Sequence, residues 1–377
     1  MATILQLLPD LDSGGVERGT LEIARELVRR GHRSLVMSNG GRLVAQLERE
    51  GSTHIQSPIG KKSPLTVWQV GKLRRLLREE NVDLIHARSR VPAWLSWLAW
   101  RSLPMATRPR FVTTVHGLYS PGGYSRIMTR GEVVVAVSRT IEAYIRNSYP
   151  DVSMSKVKRI VRGVDPAEFP HDFQPTAEFR SSFAEQFPQT VGRKLLTLPG
   201  RITRLKGHAD FVELMRRLKE RGVDVHGLIV GGEDPRKAQY GAEIRELIRT
   251  QGLENDITLT GHRSDIREVL SLSHASLSLS SKPESFGRTV LESLSLGVPV
   301  IGYAHGGVGE VLGDLFPPGA VPLGDLNRLT EAAEELLNGP RITVPEFSSY
   351  RLATMQDEEV SLYEELIVDR CIQCRAA

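Results

Sequence analysis

Short apolar segments of strand length alternate with longer amphipathic segments of helix length along almost the whole chain. The first pair is Thr3 to Leu8, an apolar run, followed by Val16 to Arg30, where apolar residues recur at helical spacing. Such alternation is typical of parallel α/β folds, because parallel strands need a long crossover that a helix usually supplies. The sequence therefore predicts parallel sheets covered by helices.

The alternation thins once, between Val164 and Arg193. Four prolines occur in this stretch: Pro166, Pro170, Pro175 and Pro188. A proline-rich break in periodicity is typical of a domain boundary, and 377 residues are enough for two cores. We predict one Rossmann-like domain over residues 1–170, with six strands, and a second over 190–345, with five. Residues 350–377 are apolar at helical spacing, and we expect this helix to cross back to the first domain.

Charge is divided unevenly between the two halves. Residues 1–170 contain 26 Lys and Arg against 15 Asp and Glu, whereas the remainder contains 23 against 30. A basic half attracts phosphorylated ligands, nucleic acid or an anionic membrane surface, although scattered solvated arginines give the same count. The chain start lacks the basic segment of a signal peptide, and no run approaches the roughly 20 apolar residues of a membrane-spanning helix. A cytoplasmic location is the expectation.

The segment from Pro283 to Ile301 carries the strongest local pattern. A strand ends, a glycine loop follows, and an amphipathic helix begins near Arg288. Helix N-termini offer unpaired N–H groups to anions, and ligands of open α/β sheets bind at the carboxyl ends of strands. Glu284 in the loop and Glu292 in the helix would frame a phosphate-binding turn. A surface loop and helix carry such glutamates equally well, so the pair alone is not decisive.

Four further strand ends carry candidate ligand-binding residues. In the second half, Gly200 is followed by Arg201 and Lys206, two cations that can converge on a pyrophosphate. In the first half, Gly14 and Gly15 open a helix, but the G-x-G-x-x-G fingerprint is absent, which counts against an NAD-dependent oxidoreductase. His116 ends an apolar strand, where it would hydrogen-bond a ligand or move protons, unless it is a structural histidine. His86 also ends a strand, with weaker claims.

Taken together, these residues resemble glycosyltransferase family 4 over nearly the whole chain. Glu284 and Glu292 match that family's E-x7-E motif. The other matches are Gly200-Arg201 and Lys206-Gly207 in its diphosphate segment, Gly14-Gly15 in its N-terminal glycine loop, and His116 at its strand end. The resemblance implies a GT-B fold, in which two Rossmann-like domains face a central cleft. It also implies transfer of a hexose-type sugar from a nucleotide-diphosphate donor with retention of anomeric configuration.

The resemblance also implies roles for individual residues. The catalytic set would be His116, Arg201, Lys206 and Glu284. The donor-binding set would be Gly15, Gly200, Arg263, Phe286, Gly287, Arg288, Thr289 and Glu292. Glu284 would contact the donor sugar and Glu292 the ribose, while Arg263 marks the segment that holds the nucleobase, mostly through backbone atoms. Arg162 departs from the pattern, since many members have asparagine there, and it receives no role.

No metal or other cofactor is expected, because the family works without a divalent ion in its site. Asp10-Leu11-Asp12 imitates the D-x-D motif of metal-dependent transferases, but it lies in the first domain, away from the donor segments, and is interpreted as loop polarity. The only cysteines, Cys371 and Cys374, form a lone C-x-x-C without the four ligands of structural zinc, and reduced, inert thiols are expected.

The acceptor is predicted to be a glycan or a lipid-linked glycan held by the basic half, as in bacterial lipopolysaccharide or envelope synthesis. Basic candidates for this contact are Lys61, Lys62, Arg74, Arg75, Arg88 and Arg90. Trp94, Trp97 and Trp100 lie at helical spacing and fit either a bilayer interface or, more often, a core helix. Peripheral contact with an anionic membrane is therefore a further expectation, and nucleic acid is not. Two alternatives stay open: a nucleotide-sugar epimerase of GT-B fold and a non-enzymatic two-domain sugar-binding protein.

Overall fold

The computed structural model describes residues 1–12, 14–61, 64–233 and 238–376. The chain forms two compact units. The N-terminal unit comprises Met1–Arg162 together with Leu352–Ala377, and the C-terminal unit comprises Gly163–Arg351.

The N-terminal unit is a seven-stranded parallel sheet with strand order β3-β2-β1-β4-β5-β6-β7. Its strands are β1 (Thr3–Leu7), β2 (Arg33–Ser38), β3 (Thr53–Gln56), β4 (Leu84–Ala87), β5 (Arg110–Val115), β6 (Val133–Ala136) and β7 (Val157–Arg159). Its helices within this part of the chain are α1 (Gly15–Arg29), α2 (Val44–Arg49), α3 (Trp68–Glu79), α4 (Arg90–Arg101) and α5 (Arg139–Ser148).

The C-terminal unit is a six-stranded parallel sheet with strand order β10-β9-β8-β11-β12-β13. Its strands are β8 (Lys194–Pro199), β9 (Val225–Val230), β10 (Ile257–Gly261), β11 (Ala275–Ser278), β12 (Val300–Tyr303) and β13 (Ala320–Val321). Its helices are α6 (Ala177–Gln186), α7 (His208–Glu220), α8 (Ala238–Thr250), α9 (Ile266–Leu272), α10 (Arg288–Ser295), α11 (Gly306–Leu315) and α12 (Leu326–Asn338).

In both units the strand order reverses beside the first strand. In the N-terminal unit the chain runs outward from β1 to β3 and then returns to place β4 on the other side of β1; β8 has the same position between β9 and β11. All five residues of β1 are buried, as expected for a strand covered on both faces. At such a switch point the loops after neighbouring strands diverge and leave a crevice at their carboxyl ends. The predicted Rossmann-like α/β architecture is thus confirmed in both units.

The last helix, α13 (Leu352–Ala376), packs on the N-terminal unit, as predicted. Met355, Val360 and Tyr363 are almost fully buried against core residues from the sheet and from α1, including Ile4 and Ile23. This apolar face is what a helix needs to stay docked far from its neighbours in sequence. No helix among the described residues is both long and apolar enough to span a bilayer. The side chains of Cys371 and Cys374 lie outside the described residues.

Several elements were not predicted from the sequence. The proline-rich stretch taken as a boundary belongs to the C-terminal unit and contains α6. The Thr176 side chain caps this helix by accepting a hydrogen bond from the Phe179 backbone at 3.2 Å, and the rings of Phe179 and Phe183 stack within it. The prolines flank the helix and do not interrupt it, which is why counting them was misleading. The prediction also missed β3, β13, α2, α11 and α12.

Candidate functional site

The loop between β11 and α10 is folded so that it presents a helix N-terminus. Gly287 precedes α10 in a left-handed conformation (φ 99°), which glycine adopts without strain. Gly307 lies so close to this loop that a Cβ there would fall 2.3 Å from the Phe286 Cα, and its backbone N–H donates to the Glu284 carbonyl at 2.8 Å. The backbone of the loop is therefore fixed by α11. The predicted donor-binding residues Phe286, Gly287, Arg288 and Thr289 all lie at this helix start.

Glu284 and Lys206 form an ion pair within the C-terminal unit. Lys206 Nζ lies 2.7 Å from Glu284 Oε1, and the Ser280 hydroxyl donates to the same oxygen. Burial opposes ionisation of Glu284, but the charge and hydrogen bond of Lys206, together with Ser280, outweigh it and lower the pKa of Glu284. The structure thus brings together two of the predicted site residues and keeps the carboxyl group ionised.

The turn that carries Lys206 is pressed against the end of β11. Gly207 adopts a left-handed conformation (φ 72°), and a Cβ there would lie 1.9 Å from the Leu279 carbonyl oxygen. The stem of Lys206 passes Gly200, where a Cβ would lie 3.4 Å from it. Arg201 follows Gly200 and is exposed. The turn after β8 is therefore packed against the carboxyl end of β11, its neighbour at the switch point, and this packing places Lys206 beside Glu284.

Three other predicted donor-binding side chains, those of Arg288, Glu292 and Arg263, are already engaged in ion pairs. Arg288 Nε lies 3.0 Å from Glu292 Oε1, one helical turn away, and Glu292 is buried. Arg263 grips Asp265 through two hydrogen bonds of 2.8 and 2.6 Å and stacks on Phe183 and Phe187. The Arg263 guanidinium is therefore already occupied by Asp265 and the two phenylalanine rings.

Sequence reasoning missed two polar residues of this region, Ser280 and His305. His305 Nε2 lies 2.7 Å from the Ser280 carbonyl oxygen, and its ring is among the groups that lower the pKa of Glu284. Both residues follow the carboxyl end of a strand, β11 and β12 respectively. The signal that could have found them is their position just after a strand end, which is also what points to Glu284.

In the N-terminal unit, Gly15 begins α1 and His116 follows β5, as the sequence placed them. His116 is half-buried, and its Nε2 is buried without a hydrogen-bond partner among the described residues. His86, by contrast, is fully buried, with Nδ1 2.5 Å from the Tyr363 hydroxyl and Nε2 2.6 Å from the Thr114 hydroxyl. His86 is therefore a structural histidine, whereas His116 keeps a free ring atom.

The arginines beside His116 are held by the C-terminal helix. Arg88 Nη2 donates to Glu359 Oε1 at 2.5 Å, and Arg162 Nη1 lies 3.3 Å from Glu359 Oε2. Arg88 and Glu359 are completely buried and Arg162 nearly so. Burial of Glu359 is offset by the two guanidinium charges and by the Tyr363 hydroxyl, so that its pKa is lowered. A charged carboxylate thus sits at the centre of this cluster.

The tryptophans of α4 belong to the core of the N-terminal unit. Trp94, Trp97 and Trp100 are partly buried against it, and the indole N–H groups of Trp94 and Trp100 donate to backbone carbonyls at 3.0 and 2.7 Å. Arg101 covers the ring of Trp97, and Arg108 covers that of Trp100. This geometry favours the core-helix interpretation over the bilayer interface. Lys62, another basic candidate, lies outside the described residues.

Two doubly wound units, one of them with a cation and a glycine-opened helix at its switch point, define the chain as a GT-B glycosyltransferase. Residues 13–168 match Glycosyltransferase Family 4, and residues 180–350 match Glycosyl transferases group 1. The chain therefore belongs to glycosyltransferase family 4. Among its described residues no group of three or more His, Cys, Asp or Glu side chains is placed to hold a metal ion.

Three solved structures are similar to this chain over nearly its whole length. A glycosyltransferase from Rickettsia africae is 30% identical, with a TM-score of 0.80, over 97% of this chain and 98% of its own. Anabaena Alr3699/HepE, solved with UDP and glucose, is 19% identical, with a TM-score of 0.75, over 100% and 99% of the two chains. WaaG, a glycosyltransferase involved in lipopolysaccharide biosynthesis, is 16% identical, with a TM-score of 0.68, over 97% and 98%.

Proposed function

We propose that the chain transfers a hexose-type sugar from a nucleotide-diphosphate donor to a hydroxyl group of a glycan or glycolipid, with retention of anomeric configuration. The observation that carries the proposal is the Lys206–Glu284 pair, which lies in the same loop cluster as the N-terminus of α10. One cation with helix-end N–H groups suits a diphosphate, and an ionised carboxylate suits sugar hydroxyls. Because HepE was solved with UDP, a UDP-sugar is the first donor to test.

In the proposed reaction, the bond between the anomeric carbon and the diphosphate oxygen breaks, and its electron pair stays with the diphosphate. Lys206, Arg201 and the N–H groups at the start of α10 stabilise the charge that develops there. The acceptor oxygen attacks the same face of the sugar, and its proton passes to the departing phosphate oxygen. Glu284 has no role as a nucleophile in this scheme; its ionised carboxylate accepts hydrogen bonds from the sugar hydroxyls. No divalent metal is required.

Glu292 is proposed to bind the donor ribose. Its Oε1 is paired with Arg288, but a carboxylate accepts several hydrogen bonds, so ribose hydroxyls can share it. Substitution by Gln keeps the shape and weakens both contacts. Glu292→Gln is therefore expected to raise KM for the nucleotide sugar more than it lowers kcat, whereas an equal loss in both would contradict a ground-state ribose contact.

The acceptor is proposed to be an envelope glycan, such as lipopolysaccharide core, reached from the cytoplasmic face of the membrane. WaaG acts in that pathway, and the first 170 residues carry the excess of cations. Helix α3 offers a surface for anionic lipid: Trp68 is 75% exposed at its start, and Lys72, Arg74, Arg75 and Arg78 are exposed along it. Each cation near such a surface contributes roughly 1 kcal/mol.

Vesicle flotation tests the membrane contact separately from catalysis. The double variant Lys72→Glu with Arg74→Glu is expected to bind anionic vesicles at least roughly tenfold more weakly than the wild type, with neutral vesicles as the reference. Arg249→Glu, an exposed site in the C-terminal unit, is the matched control. Equal binding of all three proteins would refute the contact at α3.

Donor stabilisation and nucleotide release test the catalytic proposal. A panel of UDP-, GDP- and ADP-sugars should identify one donor by thermal shift, since a ligand at 100 times its Kd stabilises the fold by roughly 2.7 kcal/mol. Nucleoside diphosphate should then appear only when the acceptor is present. Isomerisation of the sugar without acceptor would instead indicate an epimerase, and tight binding without turnover would indicate a binding protein.

A further inference from the structure

We infer that Arg162 and Glu359 are positioning residues that hold His116 as a neutral hydrogen-bond donor, its Nε2–H presented to an oxygen atom of a sugar substrate. Only one part of this inference rests on the proposed function, namely that the oxygen atom belongs to a sugar. The state of the ring is fixed by contacts within the N-terminal unit.

Arg162 determines which nitrogen of His116 carries the proton. Its Nη2 lies 3.5 Å from His116 Nδ1, and a guanidinium can only donate. Nδ1 must therefore accept with its lone pair, which leaves the proton of a neutral imidazole on Nε2. The ring orientation that brings Nδ1 to Arg162 thus makes Nε2 a donor and removes it as a proton acceptor.

Nε2 of His116 is the atom that lacks a partner. It is buried, and no described residue accepts its hydrogen bond. A buried donor left unsatisfied destabilises a protein, and such atoms in native structures call for a ligand or a functional explanation. Arg88 Nη1, at the end of the neighbouring strand β4, is also buried without a partner. Two unpaired N–H donors at adjacent strand ends fit a ligand that contributes oxygen acceptors.

Glu359 fixes Arg162 in the orientation that this requires. The carboxylate binds Arg162 through Oε2, while Oε1 accepts from Arg88 and from the Tyr363 hydroxyl at 2.7 Å. The Tyr363 oxygen in turn accepts from His86 Nδ1, whose other nitrogen faces the Thr114 hydroxyl. Each hydrogen bond in this network is donated in the direction of Glu359. The Glu359 carboxylate therefore acts only as an acceptor and stays deprotonated.

Burial and the neighbouring arginines keep the imidazole neutral. Burial holds the pKa of His116 well below its usual range, and Arg162, Arg88 and His86 lower it further, opposed only weakly by Glu359. The titratable or charged groups facing His116 or its arginine partners are His86, Arg88, Tyr119, Arg162, Glu22, Glu359 and Tyr363. A protonated His116 would confront two guanidinium groups, so a role as general acid at neutral pH is not available to it.

Nitrogen resonances of histidine report the tautomer directly, without any substrate. In the full-length protein labelled with ¹⁵N-histidine and assigned through His116→Gln, we expect His116 to show a protonated Nε2 and a bare Nδ1 that persist on acidification. In Arg162→Asn, the residue common in the family, the pKa should move toward about 6.5 and both tautomers should appear. Arg159→Asn, an exposed site three residues earlier, should leave the spectrum unchanged.

A protonated Nδ1 in the wild type, or an unaltered His116 in Arg162→Asn, would overturn the inference. Glu359→Gln leaves two buried guanidinium groups facing a neutral amide and risks unfolding the N-terminal unit. Arg162→Lys therefore serves as the conservative variant, because an ammonium group also donates to Nδ1. It should keep more of the Nε2–H tautomer than Arg162→Met, and equal spectra in the two would contradict a donor role for Arg162.

Kinetics provide a second readout from the ring itself. The amide nitrogen of Gln reaches the position of imidazole Nε2, whereas that of Asn reaches Nδ1, so only His116→Gln restores the proposed donor. We expect kcat/KM of His116→Gln to exceed that of His116→Asn by roughly two- to tenfold, the effect of one neutral hydrogen bond. The reverse order would overturn the tautomer. If the protein transfers no sugar, the proposed function is wrong, but the histidine spectra still test the tautomer of His116.

Discussion

Replacement of Lys206 by methionine removes one charge and leaves a side chain of similar length at the β8–β11 switch point. If Lys206 stabilises the departing diphosphate, the variant loses a hydrogen bond between charged groups, worth about 1.5–3 kcal/mol. At roughly 1.4 kcal/mol per factor of ten, kcat should fall by roughly ten- to 150-fold. The KM for the donor should change less, since the charge on the diphosphate grows mainly as the bond breaks.

The same substitution leaves Glu284 without its cation. The two side chains are 29% and 25% exposed, so the loss is smaller than for a fully buried pair, about 1–2 kcal/mol. For a unit of 150–250 residues this corresponds to a drop of roughly 2–8 °C in Tm. In the wild type, the depressed pKa of Glu284 adds stability above pH about 4.5 that is lost as pH falls. The stability gap between wild type and variant should therefore close on acidification.

A double variant separates the two effects. Lys206→Met with Glu284→Gln removes the uncompensated charge, so its Tm should recover while its kcat stays low. Arg204→Met is the control, because Arg204 lies in the same turn but pairs with Glu243 on the surface. Steady-state release of nucleoside diphosphate measures kcat, and calorimetry measures Tm. Activity of Lys206→Met within twofold of the wild type, or recovery of kcat in the double variant, would refute the role of Lys206.

Two further substitutions test the frame around the site. Gly207→Ala should lower Tm by roughly 6 °C or more, because it combines left-handed strain with a clash at the Leu279 carbonyl, whereas Gly252→Ala, with similar φ and open space, should lower it by no more than about 4 °C. Burial lowers the pKa of His208 to about 4 from 6.5. The wild type should therefore lose about 3 kcal/mol of stability between pH 6.5 and 4 through this residue, and urea titrations of His208→Leu should show a shallower acid dependence; parallel pH profiles would contradict it.

Local sequence patterns predicted the two-sheet architecture and suggested candidate site residues, but they did not predict the contacts between those residues. Strand-length apolar runs, together with the loops that follow them, pointed to Glu284, Lys206 and His116. This works because the carboxyl ends of the strands line the crevice in any doubly wound sheet. The pairing of Lys206 with Glu284 joins loops 78 residues apart and depends on β8 lying beside β11. Because strand order leaves little trace in a single sequence, the contact between Lys206 and Glu284 could not be predicted from it.

The cluster of arginines around Glu359 could not be predicted from the sequence for a related reason. Arg162 is visible in the sequence only as a departure from the family pattern. Glu359 lies on the buried side of a helix that apolar spacing identified, where the spacing predicts apolar residues. The Arg162–Glu359 contact spans 197 residues. Helical periodicity predicts which side of a helix is buried; it does not predict that a charged residue on that side will meet two arginines.

The order in which a ribosome delivers this chain has a consequence for how the N-terminal unit matures. The unit contains the first 162 residues but also the helix that begins at Leu352, so the C-terminal unit is complete in sequence before the N-terminal one. Until that helix emerges, Arg88 and Arg162 lack the carboxylate that neutralises them, and the apolar surface over Ile4 and Ile23 stays open. The first unit to be synthesised is therefore the last to close, and a nascent or truncated chain should depend on chaperones until Glu359 arrives.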